Sequence, residues 1–430
     1  MSKLQRKTKN DIAWEDLFEQ YKILDEVSLN ETFEIDSSQI NEVRESRLMA
    51  KFDHSVNLPL IFRNNRLSIL PISRSRYVIG KFETYCRVDY NSNIEEISTE
   101  FPDSLESIDY TNLYSESSAL NCAFNAGIID DLIGETSFHT LSGRMSTGTF
   151  SFSIRNIIGK ESEINVINSQ CEIDAGFESK NYLVLIEAKN YTVDDFLIRQ
   201  LYYPYRLWKD KVTKIVVPVL MTYSNDKFSF FVYKFENDLD YNSLSLIKQK
   251  DYIIDSEEIN LSDVNNIFDT VNIVNAPYNV PFPQADKLER VVDLLSLLVE
   301  KNLTKDEITE NYQFDVRQTS YYTDAGRYLR LIDKYRNCLT KEITFSLTKE
   351  GNALLKKRPK LKYLELIRKI LEHEVFYKVF ELAALEGEIP DKSKIRQVMS
   401  ESDLNLSETT IERRSTTVLR WIEWIWLQID

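Results

Sequence analysis

The chain has 430 residues and a formal net charge of −15, with 43% hydrophobic and 12% aromatic residues. A chain of this size and composition can bury a core in each of two or three domains. It contains no run of about 18 apolar residues, so we expect no transmembrane helix and no membrane partner. The acidic balance disfavours a protein that coats nucleic acid without specificity.

Short motifs exclude several further classes. The start, MSKLQRKTKNDIAWEDL, lacks the apolar stretch of a secretory signal. The four cysteines lie far apart without a CxxC pair, which favours a reduced, cytoplasmic compartment and disfavours a cysteine zinc site. No GxxxxGK[ST] loop is present, so we expect no nucleotide cofactor. None of the three histidines has an HNH or Ser-His-Asp setting.

The first part of the chain predicts a mixed α/β architecture. Residues 1–115 alternate short helical and strand-like patterns and are expected to pack on the domain that follows. Residues 116–275 predict one mixed α/β layer, with a helix over 117–134, a hairpin turning at Ser179–Asn181 and a helix capped by Thr192. The segment NAPYNVPFPQAD, residues 275–286, holds three of the ten prolines and is the best candidate for a linker.

The remainder predicts mainly α-helical modules. Residues 285–358 show three helical patterns followed by a short hairpin, the order of a winged helix-turn-helix. Residues 359–430 partly repeat this pattern and predict a second, helical winged-helix-like module. From Lys334 to Lys369 there are eleven Lys and Arg against three Glu, which indicates either a solvated surface or an anion-facing patch.

The polar end of one apolar strand carries the chemistry. In YLVLIEAKN, strand alternation places Glu187 and Lys189 on one face. The preceding hairpin strand can bring Asp174 beside them. Two carboxylates of this kind suit Mg²⁺, which can activate a water molecule that the lysine orients or helps to deprotonate. The alternative is a half-buried ion pair at a strand end.

These residues resemble a known motif. Asp174 followed by Glu187-Ala188-Lys189 resembles the D-x(n)-(D/E)-x-K motif of the PD-(D/E)XK nuclease superfamily, although the first half is Ile-Asp rather than Pro-Asp. The resemblance covers roughly residues 115–235. It implies that Asp174, Glu187 and the Ala188 carbonyl hold Mg²⁺ while Lys189 assists the attacking water. Gln200, in RQLYYPYRLW, matches a glutamine found after the lysine in some of these nucleases.

A wider resemblance extends to other segments. SRLMAKFD, LSILPISRSRYVIG, SGRMSTGTFSF and TTIERRSTTVLRWIEWI are similar to a group of bacterial type II restriction endonucleases. The resemblance implies Mg²⁺-dependent hydrolysis of double-stranded DNA at a short sequence, in the cytoplasm of a bacterium. Cutting both strands with one motif per chain leads us to expect a homodimer, at least on DNA.

Polar and basic residues outside the motif are candidates for DNA contact. The alternatives are salt bridges for Arg74, Arg76 and Arg144, an ordinary helix start for residues 317–319, and a capped surface helix for the one that carries Arg413 and Arg414. Arginine and glutamine read base edges, and hydroxyl groups bind phosphates. The candidates are Arg74 and Arg76, Ser142 and Arg144 before the motif, Arg317, Gln318 and Thr319 at the start of a helix, and Arg413 and Arg414 in the last helix.

Two other functions compete with a restriction endonuclease. One is a non-catalytic DNA-binding regulator that keeps a nuclease-like fold, although the intact Asp174, Glu187 and Lys189 set argues against it. The other is a repair or mobile-element nuclease that recognises DNA structure rather than sequence.

Overall fold

The computed structural model describes residues 7–157, 159–254 and 257–429. The predicted regions 1–115, 116–275 and 359–430 also contain residues 1–6, 158, 255–256 and 430, which lie outside the described residues. The N-terminal part packs short helices around a three-stranded sheet of order β1-β3-β2, over a core that includes Trp14 and Phe62. Its elements are α1 (Lys9–Gln20), α2 (Ile23–Asn30), β1 (Thr32–Asp36), α3 (Ser37–Asn41), α4 (Ser46–Met49), a 3-10 helix (Ser55–Asn57), α5 (Leu60–Asn65), β2 (Ser68–Pro71), β3 (Arg76–Gly80), β4 (Tyr85–Arg87) and β5 (Glu96–Thr99).

A seven-stranded mixed sheet forms the centre of the molecule, with strand order β5-β14-β13-β12-β10-β9-β6. Strands β10 and β12 are parallel, as are β14 and β5, and the other neighbours are antiparallel. The elements of this part are α6 (Glu116–Asn125), α7 (Ile128–Ile133), β6 (Phe138–Ser146), β7 (Thr149–Arg155), β8 (Glu161–Ile167), β9 (Gln170–Glu178), β10 (Tyr182–Lys189), β11 (Asp195–Leu197), α8 (Arg199–Lys209), β12 (Ile215–Ser224), β13 (Lys227–Phe235), β14 (Leu244–Ile254) and α9 (Leu261–Thr270).

Two predicted helices differ from the observed ones. The helix expected over 117–134 is two helices, because Gly127 takes a left-handed conformation with φ of +76° after α6 ends. The N-cap of α6 is Ser115, whose side chain accepts from the Ser118 backbone N–H. The helix expected to begin at Thr192 begins at Arg199, because the intervening residues pair with β4 as the short strand β11.

Beyond residues 271–286, which form no helix or strand, the chain is largely helical. The segment Leu288–Leu355, called the wing module below, contains four helices and a three-stranded sheet of order β15-β17-β16. Its elements are α10 (Leu288–Glu300), β15 (Leu303–Thr304), α11 (Lys305–Asn311), α12 (Val316–Tyr328), β16 (Ile332–Arg336), β17 (Ile343–Leu347) and α13 (Lys349–Leu355). The mixed α/β sheet followed by a mainly α region confirms the predicted fold class.

The last part of the chain consists of helices, with no strand between residues 359 and 427 to form a second wing. Its elements are α14 (Pro359–Leu371), α15 (Glu374–Glu386), α16 (Lys392–Glu401) and α17 (Glu408–Leu427). Trp421 is fully buried, stacks on Phe376 and donates its indole N–H to the Ala285 carbonyl at 2.7 Å. These contacts hold the final helix against the segment that precedes the wing module.

Candidate active site

Strand β10, which carries the predicted motif, lies near the middle of the sheet and is buried on both faces. Val184, Ile186 and Ala188 face the core that contains α6 and α7, whereas Leu183 and Leu185 face the core that contains α8. Alternation therefore directs Glu187 and Lys189 to the α8 side of the sheet. Both side chains are buried, with 7% and 5% of their residues' surfaces exposed.

Strand β9 separates from β10 at the motif. Their ladder ends at the pair Ala175–Ile186, one residue before Asp174 and Glu187 would face each other. On its other edge β9 has a bulge, because three steps from Gly176 to Ile173 match two steps on β6. A bulge re-aims side chains and is common beside active sites. The separation and the bulge together leave Asp174 free to reach across to the end of β10.

Direct contacts join the predicted motif residues. Asp174 Oδ2 accepts a hydrogen bond from the Ala188 backbone N–H at 2.8 Å. Lys189 Nζ lies 2.7 Å from Glu187 Oε1, and the Gln200 side-chain amide, from the first turn of α8, donates to the same oxygen. The structure thus brings together Asp174, Glu187, Ala188, Lys189 and Gln200.

Burial governs the protonation of these groups. Burial raises the pKa of Glu187 to about 8 and outweighs the attraction of Lys189, while the neighbouring Asp174 adds to the rise. Burial likewise raises the pKa of Asp174 to about 6. Burial alone would lower the pKa of Lys189, but Glu187 and Asp53 raise it well above its ordinary value. Lys189 is therefore an ammonium at neutral pH.

Two further carboxylates adjoin the motif, and the sequence patterns did not identify either of them. Asp53 Oδ2 lies 3.7 Å from Lys189 Nζ. Glu116, the first residue of α6, is close enough for Lys189 and Glu187 to affect its pKa, which burial raises. Asp53 stands at the end of SRLMAKFD, a segment of the wider resemblance, but nothing in that pattern assigns it a role.

The acidic site fits a divalent cation. Asp174 Oδ1 and Glu187 Oε2 each accept no hydrogen bond from the described residues, and both carboxylates have pKa values that a bound cation would lower. Within the described residues, no cluster of three or more His, Cys, Asp and Glu side chains has metal-binding geometry. Mg²⁺ keeps several of its water molecules and needs few protein ligands, so two carboxylates and a backbone carbonyl suffice.

The predicted DNA contacts before the motif lie at the same end of the sheet. Arg144 is exposed, pairs with the Glu172 carboxylate at 3.3 Å and stands two β9 residues from Asp174. Ser142 is also exposed, on β6 opposite the bulge. The exposed Arg74 lies in the β2–β3 turn and the exposed Arg76 begins β3. The backbone of that turn contacts the β8–β9 connection.

The start of α12 does not offer all three predicted contacts. Arg317 is exposed. Gln318 accepts from the Asp315 backbone N–H and so closes a capping box. Thr319 is fully buried, and its hydroxyl bonds to Thr309 and to the Asp315 carbonyl. The predicted DNA contact by Thr319 is therefore wrong, because α12 directs the Thr319 side chain into the core.

Arg413 and Arg414 lie in the first half of α17 and differ in exposure. Arg413 is exposed, whereas Arg414 is half-buried and has two guanidinium nitrogens with no hydrogen-bond partner among the described residues. Burial and the adjacent Arg413 lower the pKa of Arg414, against the opposing influence of Tyr321 on α12. Tyr321 on α12 is thus close enough to affect the pKa of Arg414 on α17.

Three protein-family models match successive parts of the chain, and each is described as a domain of unknown function. They are DUF6996 over residues 11–79, DUF6997 over residues 80–253 and DUF7226 over residues 290–430. No curated protein and no solved structure matches the chain. The boundary between the first two family models, near residue 80, agrees with the strand pairing. Strand β5 lies within the predicted N-terminal region 1–115, but it pairs with β14 in the seven-stranded sheet. No helix of the described residues is long and apolar enough to cross a membrane.

Proposed function

We propose that the protein is a Mg²⁺-dependent endonuclease of the PD-(D/E)XK type that hydrolyses double-stranded DNA at a short sequence, as type II restriction enzymes do. The observation that carries the proposal is the convergence of Asp174, Glu187 and Lys189 at the point where β9 separates from β10. A structural ion pair needs neither the second carboxylate nor carboxylate oxygens that accept no hydrogen bond from the described residues.

The chain's own residues suggest how the chemistry would be divided. Asp174, Glu187 and the Ala188 carbonyl would hold Mg²⁺, which supplies an acidified water and neutralises charge on the phosphate. Lys189, whose pKa Glu187 and Asp53 raise, would orient the attacking water or stabilise negative charge. Gln200 fixes the Glu187 carboxylate by donating to one of its oxygens. The surrounding burial limits access of other solvent to the site.

The wing module supports DNA as the substrate. Its helices and three-stranded sheet follow in the order of a winged helix-turn-helix, with α12 in the place of the recognition helix. This helix is anchored near the motif, since the Gln313 side chain bonds to Asp194 and Asp195 just beyond β10. DNA bound along α12 would therefore lie close to the end of the motif strand. A homodimer on DNA would supply the second site needed to cut both strands.

A plasmid-cleavage experiment tests the proposed activity. The full chain is incubated with supercoiled plasmid and Mg²⁺, beside Lys189→Ala and beside Lys180→Ala as a matched control. Lys180 lies in the exposed β9–β10 turn and forms no ion pair among the described residues. Discrete linear fragments from wild type and Lys180→Ala, with none from Lys189→Ala, are expected.

Other outcomes would favour the alternatives. Structure-dependent nicking without discrete fragments would favour a repair or mobile-element nuclease. Retained DNA binding with no cleavage by wild type, across methylated and unmethylated plasmids, would favour a non-catalytic regulator and overturn the proposed activity.

A further inference from the structure

Asp53 connects the N-terminal part of the fold to the motif lysine. Its Oδ2 atom lies 3.7 Å from Lys189 Nζ, and the two side chains are 18% and 6% exposed. Its other oxygen, Oδ1, is buried and has no hydrogen-bond partner among the described residues. Asp53 is thus a half-buried carboxylate whose nearest ammonium is that of Lys189, with the exposed Lys51 at 3.9 Å from the same oxygen.

The backbone around Asp53 is fixed to the segment that follows β10. The Asp53 carbonyl accepts from the Leu197 N–H at 3.0 Å. The adjacent His54 is fully buried, with Nδ1 2.6 Å from the Asp195 carbonyl oxygen and Nε2 2.9 Å from the Tyr191 hydroxyl. The hydrogen bonds of the neighbouring backbone and of His54 therefore set the position of the Asp53 carboxylate relative to Lys189.

The neighbours of Lys189 indicate what its contact with Asp53 does. Lys189 has two close carboxylates, Glu187 at 2.7 Å and Asp53 at 3.7 Å. Glu187 is also a candidate metal ligand, so its charge would be shared with the cation. Asp53 lies 3.7 Å from the same ammonium and is not among the candidate ligands. It can thus hold Lys189 in place independently of the metal.

We propose that Asp53 is a positioning residue that holds the Lys189 ammonium in its working place, and that the N-terminal part of the chain is therefore required for catalysis. This inference rests on the proposed nuclease function. It assigns a catalytic contribution to the part of the chain that DUF6996 matches, residues 11–79, which otherwise carries no residue of the motif. The role is distinct from DNA binding, because Asp53 repels phosphate.

Steady-state kinetics on a plasmid or duplex substrate separate positioning from binding. The full-length variants are Asp53→Asn, Asp53→Ser as a second neutral replacement, Asp53→Glu, and Asp25→Asn as a matched control. Asp25 is an exposed acid in α2 of the same region. Cleavage rates at saturating DNA and Mg²⁺ are compared with the Kd for the same duplex, measured in Ca²⁺, and with the Tm of each variant.

The two neutral Asp53 variants should lose at least tenfold in kcat, because the Lys189 ammonium is no longer held in place for the reaction step. Their Kd should stay within about twofold of wild type, because Asp53 does not bind DNA. Asp53→Glu should recover part of kcat, and Asp25→Asn should match wild type. A folded neutral variant with wild-type kcat would overturn the inference while leaving the nuclease function intact. A wild-type protein that cleaves no DNA would instead overturn the function, and the inference with it.

Discussion

The Asp174 carboxylate accepts a hydrogen bond from the backbone N–H of Ala188, a residue that lies on the neighbouring strand beyond the last ladder pair. A side chain therefore replaces the backbone partner that β9 would otherwise supply. The contact fixes Asp174 next to Glu187 and leaves its second oxygen without a partner in the described residues. This geometry makes Asp174 a residue whose charge and whose hydrogen bond can be tested separately.

Asp174→Asn should abolish cleavage without unfolding the protein. The amide oxygen of asparagine can still accept from Ala188, but the charge that favours a cation is removed. We expect cleavage to fall at least a hundredfold. The Tm without Mg²⁺ at pH 8 should be equal or higher, because a half-buried carboxylate next to Glu187 has been neutralised. Plasmid cleavage and thermal unfolding measure the two effects.

The control for this experiment is Glu172→Gln, an exposed acid on the same strand that pairs with Arg144. It should leave metal-dependent cleavage within about threefold of wild type, since surface pairs contribute little. A large drop in the Tm of Asp174→Asn would contradict the view that the Ala188 hydrogen bond survives the substitution.

Glu187 should make the metal-free protein less stable as pH rises. The folded state holds this proton up to a pKa of about 8, whereas an unfolded glutamate releases it near 4.5. The folded state therefore binds more protons in that window, and the free energy of unfolding contributed by Glu187 falls from about pH 4.5 through about pH 8. Glu187→Gln removes this penalty, so its Tm should exceed that of wild type increasingly towards pH 8.5.

The size of the pH effect follows from the same shift. One pKa unit corresponds to about 1.4 kcal/mol, and a kcal/mol moves the Tm of a large domain by about 2–4 °C. Mg²⁺ prefers the ionised carboxylate, so its stabilisation of wild type should grow between pH 6 and pH 8.5 and disappear in Glu187→Gln. A Tm difference between the two proteins that stays constant with pH would refute this account of Glu187.

Alternation in a short hairpin made the central motif predictable, because YLVLIEAKN leaves few registers that bury its apolar residues. The bulge in β9 and the separation of the strands were not predictable, since both depend on pairing with β6. Asp53 lies far from the motif along the chain and meets Lys189 only through packing. Thr319 is a candidate for DNA contact because it opens a helix beside Arg317 and Gln318, yet its hydroxyl has a buried partner in Thr309.

Arg317 and Thr319, two residues apart on α12, should respond differently to substitution. Arg317→Ala removes an exposed cation, so DNA affinity should fall. The slope of log K against log salt should become shallower by about 0.9 if Arg317 contacts one phosphate. Thr319→Val removes a buried hydroxyl bonded to Thr309 and should cost about 1–3 kcal/mol of stability with little change in affinity.

Both variants are best measured in the Lys189→Ala background, by fluorescence anisotropy over a salt series and by urea unfolding. Arg413→Ala, measured in parallel, compares α17 with α12. If Arg317→Ala binds with unchanged affinity and slope while Arg413→Ala does not, the DNA contact belongs to α17 rather than to the wing module.

The wing module depends on a close approach between α13 and the turn that follows α12. A Cβ at Gly351 would fall well inside van der Waals distance of the Leu331 carbonyl oxygen, which also accepts from the Thr348 N–H at 3.0 Å. Because a backbone atom cannot swing aside as a side chain can, Gly351→Ala must shift α13 or the turn. We expect a loss of about 1–3 kcal/mol in the free energy of unfolding, in the range of overpacked sites.

The control is Lys349→Ala, a substitution of an exposed residue at the start of the same helix, whose free energy of unfolding should stay within about 0.5 kcal/mol of wild type. Urea unfolding of both variants provides the measurement. Equal stability of Gly351→Ala and wild type would mean that α13 does not pack on this turn as described.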